Sequence, residues 1–194
     1  MARLSWQLLT LILLAQLVVP AAMGAASTIA GDGARVGGTD VNGSSAVKAP
    51  GEAVAAGIWI APDGDWEKVT EDMKETLQSL AGPSRVLRIM VQEEEDLIEQ
   101  VYIGTSDGVL VLWPDVTETL QLIAPFDFRE RPWYLEAARA GDTIWTKPYQ
   151  SQTTGDISIT CATPISAEGN LSGVVGMDVS LAEMDLDLAN FSSG

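Results

Sequence analysis

Apolar residues recur along this chain at two different periods. Behind Asp65, a side chain suited to an N-cap, Trp66, Val69, Met73, Leu77 and Leu80 fall at three- to four-residue intervals until Gly82-Pro83. That spacing predicts an amphipathic helix that stops at Gly82-Pro83 and packs its apolar stripe on a sheet. Residues 86–91 then read as an extended segment, and residues 97–105 and 109–113 as two strands separated by Ser106-Asp-Gly108, a hairpin turn. Helical spacing returns over 133–140, and residues 143–149 form a third strand candidate. The runs 157–165 and 171–179 are joined by a segment carrying Glu168-Gly-Asn170 as its turn, and a short closing helix is expected over 181–189. Strands meeting through tight turns, with helices before and between them, predict an α+β fold: an antiparallel sheet of about five strands with its helices on one face.

Upstream of residue 58 neither period is present. Arg3 precedes an apolar run over residues 8–19 that is broken only by Thr10 and Gln16, and Pro20 ends it. Ala22-Met-Gly24 and Gly24-Ala-Ala26 both fit a small-x-small cleavage pattern. Residues 1–26 therefore read as an export signal. An uncleaved N-terminal anchor is the alternative, because counting through Met23 brings the weakly apolar segment near marginal spanning length. Either way the chain is expected outside the cytoplasm, whether periplasmic, secreted or at the cell surface. Residues 27–57 are rich in Gly, Ala and Ser and read as a flexible tether, residues 58–190 as the folded domain, and residues 191–194 as a tail.

Composition narrows the chemistry. A chain of 194 residues with 46% hydrophobic content supports one real core, and its net charge of −16 excludes nucleic acid as a partner, since a polyanion binder needs clustered Lys and Arg. Histidine is absent, which removes Ser-His-Asp and Cys-His triads, His-ligated zinc and imidazole proton shuttles. The lone Cys161 lies in the apolar alternating run Ile157-Ser-Ile-Thr-Cys-Ala-Thr163 and reads as a small buried hydrophobe. Asp63-Gly-Asp65 lacks the further carboxylates of a calcium loop and reads as turn and cap chemistry. Neither an enzyme nor a metal or cofactor site is expected.

Recognition chemistry concentrates in Pro125-Phe-Asp-Phe-Arg-Glu-Arg-Pro-Trp-Tyr134, echoed by Trp145-Thr-Lys-Pro-Tyr149. Arg131 offers fixed donors that match a carboxylate fork, and Trp133, Tyr134 and Tyr149 offer flat faces that can wall a small polar ligand. Pro132 can fix the turn that aims Arg131 and Trp133, and Phe128 and Arg129 read as scaffold. Taken singly, each residue also has an ordinary structural role. Trp133 and Tyr134 can be core rings, Arg131 can pair with Asp127 or Glu136, and Asp178 can cap the helix expected near Leu181.

Tyr102-Ile-Gly-Thr-Ser-Asp-Gly108, Phe128-Arg-Glu-Arg-Pro-Trp-Tyr134, Trp145-Thr-Lys-Pro-Tyr149 and Gly173-Val-Val-Gly-Met-Asp-Val-Ser180 together resemble, in order and spacing, the ligand-binding Cache module of extracytoplasmic sensors. The resemblance is to the membrane-distal module of the double-Cache type and covers residues 58–189. It implies a PAS-like antiparallel sheet preceded by a helix, with the ligand in a concave sheet face. In amino-acid-sensing members an Arg-x-Trp-Tyr segment, a later Tyr and a still later Asp converge on the ligand, and here Arg131, Trp133, Tyr134, Tyr149 and Asp178 stand in those places. Arg131 would pair with an α-carboxylate and Asp178 would accept from an α-ammonium. One position departs: where those members carry a Tyr five residues before the Arg, this chain has Phe126, which keeps the ring and loses the hydroxyl. The implied partner is an amino acid or related small carboxylate. Family receptors continue into a membrane span and a signalling domain, so this chain is expected to lack its own output and to work through a separate membrane receptor. The competing reading is a non-catalytic exported interaction module, or a truncated receptor, with a vestigial pocket.

Overall fold

The computed structural model describes residues 56–93, 98–167 and 169–181. The expected leader, and nearly all of the expected tether and closing helix, lie outside these residues. Seven strands build one antiparallel sheet: β1 (Gly57–Ile60), β2 (Ile98–Thr105), β3 (Val109–Trp113), β4 (Ile144–Trp145), β5 (Tyr149–Gln150), β6 (Ile157–Ala167) and β7 (Asn170–Ser180). Their order is β1-β3-β2-β7-β6-β4, with β5 also on β6. The helices are α1 (Glu71–Glu93), α2 (Thr117–Leu122) and α3 (Pro132–Ala140). The α+β class and the two hairpins match expectation. Gly108 (φ 102°) and Gly169 (φ 83°) close them in backbone conformations that disfavour side chains.

Three local expectations are corrected. The first concerns α1, which starts later than expected and does not stop at Gly82-Pro83. Asp65 accepts from the Glu67 amide at 2.9 Å and caps only a short 3-10 turn, Trp66–Lys68. The long helix starts where Thr70 Oγ1 accepts from the Met73 amide at 3.2 Å, and it runs for 23 residues. Pro83 removes one main-chain donor, yet the apolar stripe continues through Leu80, Leu87 and Val91, all buried on the sheet. Burial of a Leu side chain is worth about 1.5–3 kcal/mol, so two or three such residues offset the roughly 3 kcal/mol of an internal proline. Residues 86–91 are accordingly helix, not strand.

The second correction concerns the layers. α1 covers one face of the sheet while α2 and α3 cover the other, so the helices are not confined to one face. Every residue of β3 is buried for that reason. Third, the strand expected over 143–149 is two short strands, β4 and β5, interrupted at 146–148. Thr146 turns its hydroxyl into the ladder to accept from the Thr160 amide at 2.9 Å, and Pro148 has no amide to donate.

The two faces carry two cores. Under α1, Met73, Leu80 and Leu87 meet Val101, Ile103, Val175 and Met177, together with Cys161, whose thiol burial pushes up to about 12. On the opposite face, Trp59, Tyr102, Phe128, Trp133 and Tyr134 form an aromatic layer beneath α3. Gly82 lies inside α1 with nothing within 4 Å of the position a methyl group would occupy. Gly82→Ala is therefore expected to stabilise the fold by about 0.5–1 kcal/mol in denaturant unfolding. A loss of stability would mean that the helix ends at this glycine.

Candidate functional site

The site begins with a short segment that aims one arginine. Asp127 accepts from the Arg129 amide at 3.0 Å and opens a 3-10 turn, Phe128–Glu130, that ends on Arg131. Arg131 is then the N-cap of α3, with Pro132 fixing the first helical position. Its side chain makes no cap bond, so the guanidinium is free to reach outward. Nη2 donates to the Gln150 carbonyl oxygen at 3.1 Å, and the guanidinium carbon lies 5.5 Å from the centre of the Tyr149 ring, within cation–π range. Asp127 pairs with Arg129 at 2.6 Å, so the internal ion pair considered for Arg131 with Asp127 belongs to Arg129 instead.

Beneath this arm, a row of three residues crosses the sheet: Gln100 on β2 faces Asp178 on β7, which faces Thr160 on β6. Asp178 is a strand residue, and the helix it was expected to cap lies almost wholly outside the described residues. Its Oδ1 accepts from Tyr102 Oη at 2.5 Å and from Thr160 Oγ1 at 2.6 Å. Since Thr160 donates to the carboxylate, Tyr149 Oη, 2.7 Å away, is the donor to Thr160. A directional relay thus runs from Tyr149 through Thr160 to Asp178. The Trp133 ring, 4.6 Å from the Tyr102 ring between centres, walls the set on the α3 side.

Residues 88–185, half of the chain, match the family model for the first PDC sensor domain of methyl-accepting chemotaxis protein-like receptors. The chain belongs to that family. Curated relatives of this sensor domain include the methyl-accepting chemotaxis proteins McpA of Pseudomonas putida, 44% identical over 82 residues, and PctB of Pseudomonas aeruginosa, 40% identical over 80 residues. Each match covers 41% of this chain and only 12% of the relative. Among solved structures, the ligand-binding domain of Pseudomonas aeruginosa PctB in complex with L-Gln is 27% identical with a TM-score of 0.44, the match covering 54% of this chain and 49% of that one. The ligand-binding domain of Mlp24 with asparagine is 29% identical with a TM-score of 0.48, covering 55% and 43%.

Of the sensor domain's sequence-expected residues, Arg131, Trp133, Tyr149 and Asp178 are joined by one chain of contacts: Arg131 over the Tyr149 ring, Tyr149 through Thr160 to Asp178, and Asp178 through Tyr102 to Trp133. Tyr134 and Phe126 sit to the side. Tyr134 packs edge-on to Phe128 and Trp133, and burial raises its phenol pKa while Arg129 opposes the rise. Phe126 packs against the aromatic layer, while its main chain accepts from Trp59 Nε1 at 3.0 Å and donates to the Pro62 carbonyl oxygen at 2.7 Å. Sequence reading missed Tyr102, Thr160 and Gln100 as site residues. The signal for Thr160 was available: within Ile157-Ser-Ile-Thr-Cys161 the polar residues alternate onto the face opposite the apolar ones. Two glycines make room for the rings, since a methyl group on Gly176 would lie 2.1 Å from Tyr102 Cε2, and one on Gly104 would lie 2.6 Å from Phe128 Cε2.

Asp178 is 5% exposed. Desolvation raises its pKa from the ordinary 3.8 to about 6, against the lowering effect of its Thr160 and Tyr102 bonds; Glu99 adds to the rise and Arg131 opposes it. Burial also holds the Tyr102 and Tyr149 phenols well above their usual range, so both stay neutral donors. A carboxyl that binds its proton more tightly when folded stabilises the fold below its unfolded pKa, and that stabilisation is lost as pH rises through the folded value. For a rise from 3.8 to about 6 the loss is about 3 kcal/mol. Asp178→Asn keeps an acceptor for Tyr102 and Thr160 and carries no charge. The variant is expected to melt higher than wild type at pH 7.5 and to lose the wild-type decline in stability between pH 4 and pH 7. Equal melting temperatures across that range would show that Asp178 titrates as an exposed acid.

Proposed function

We propose that this sensor domain binds a small zwitterion, an amino acid or a close analogue, with the ligand ammonium on Asp178 and the carboxylate on Arg131. The observation that supports the reading best is a buried carboxylate with no ion-pair partner among the described residues, linked through Thr160 and Tyr149 to a guanidinium that meets the Tyr149 ring and the Gln150 carbonyl oxygen. An ammonium ligand would supply the missing counter-charge and strengthen the charge-assisted bonds in a site that excludes water. Two opposite charges at fixed places favour a zwitterion over a bare amine or a bare carboxylate. Affinity in the micromolar range, roughly −8 kcal/mol, is the scale for such contacts. No step of this reading calls for bond making or breaking.

The domain would work outside the cytoplasm, brought there by the leader pattern of residues 1–26. Among the described residues no helix is long and apolar enough to cross a membrane. Coupling to a membrane receptor belongs to the same proposal, since the matched region is about an eighth of the chemotaxis relatives.

The test is thermal unfolding of the full chain against amino acids, small carboxylates and amines. A ligand at a hundred times its Kd stabilises the fold by about 2.7 kcal/mol, a shift of several degrees. Amino acids are expected to give that shift, and Arg131→Ala and Asp178→Asn to remove it. Because a proton on Asp178, with a pKa of about 6, competes with the ammonium, affinity is expected to fall about tenfold from pH 7 to pH 5. Shifts produced equally by simple carboxylates, with Asp178→Asn unaffected, would sink the zwitterion reading.

A further inference from the structure

Gln100 has an arrangement that the zwitterion contacts do not use. The residue is 4% exposed, and its Nε2 is buried without a hydrogen-bond partner. Its Oε1 accepts from Thr153 Oγ1 at 2.8 Å. The neighbouring hydroxyls fix which end of the amide is which. Ser151 Oγ accepts from the Thr153 and Thr154 amides at 3.4 and 3.3 Å, which leaves its own proton for Thr153 Oγ1, 3.1 Å away. Thr153 must then donate onward, so the oxygen of Gln100 is the end it meets and the two N–H groups are left over.

Register places Gln100 beside Asp178. A break in the ladder between Ile98 and Gln100 lets Ile98 face the α1 core while Gln100 joins Tyr102 on the opposite face, directly across from Asp178. Thr153 belongs to the connection between β5 and β6, so its bond to β2 draws that connection across β7 and β6 beside Asp178. A buried unpaired donor is costly, and a ligand acceptor that meets it recovers that loss. Only an acceptor will do, because Nε2 can donate and not accept. A second carboxylate is disfavoured by Asp178 in the same row and by Glu99, whose charge already reaches Asp178.

We propose that Gln100 selects the ligand side chain, favouring a zwitterion that carries an uncharged hydrogen-bond acceptor, a carboxamide, over an aliphatic or acidic one of similar size. This rests on the zwitterion reading above. Calorimetric titration of the full chain with L-glutamine, L-asparagine, L-methionine and L-glutamate tests it. An amide ligand is expected to bind about tenfold or more tightly than methionine or glutamate, as in sites that leave a polar group unpaired with the wrong ligand. Gln100→Leu should bring the amide-to-methionine ratio to near one while methionine still binds, and Thr153→Val, which frees the amide to turn, should lower the ratio with the fold intact. Asp178→Asn should lose all four ligands. Methionine binding as tightly as glutamine in wild type, or a preference unchanged in both Gln100→Leu and Thr153→Val, overturns the role of Gln100 and leaves the zwitterion reading standing. Should Gln100→Leu fail to fold, Thr153→Val decides alone. No binding of any amino acid overturns both.

Discussion

A carboxylate placed inside a protein must be compensated by its neighbours, and the α3 face of this sheet is organised around that requirement at Asp178. Two hydroxyls, from Tyr102 on one flanking strand and Thr160 on the other, converge on a single oxygen. The three residues come from three adjacent strands, so their meeting depends on the register of β2, β7 and β6. A one-residue slip of any of these strands would turn its member to the α1 face. The glycine at 176 follows from the same geometry, because the Tyr102 ring occupies the space that a side chain there would fill.

The two sides of the sheet divide the work of holding and of binding. The side under α1 is aliphatic and closely covered, and it sets the strand positions without polar chemistry. The other side is aromatic, and its rings make wide walls with few rotatable bonds. Phe128, Trp133 and Tyr134 brace one another through stacked and edge-on contacts. That bracing fixes the start of α3 and with it the origin of the Arg131 side chain. Asp127 contributes by engaging Arg129, which leaves the second arginine of the segment without an acidic partner among the described residues.

Much of this was legible from the residues. The central strands, their turns and α3 announce themselves through period, turn chemistry and Pro132. Arg131, Trp133 and Tyr149 stand out because so much recognition chemistry crowds into so few positions. The continuation of α1 past Pro83 was not legible, since local propensity argued for a stop and only the presence of a long sheet face to cover explains why the helix persists. Two-sided burial hid the layers, because a strand with both faces covered loses its alternation. Gln100 was hidden for a related reason: the ladder break before it reverses the parity that Ile98 would predict, and no local pattern reports a contact with Thr153, 53 positions away.

The lengths of the strands have a consequence for how the sheet meets its surroundings. The long strands β2 and β7 are interior, while the rim is made of β1, with four residues, and of β4 and β5, with two each, which cover β6 at residues 157–158 and 161–162. A rim of that kind exposes few free donors and acceptors in line, and the proline before β5 interrupts them further. The longest uncovered edge is β6 over residues 163–167, and Pro164 interrupts it. Another copy seeking to extend the sheet therefore meets short or proline-broken edges along the described residues.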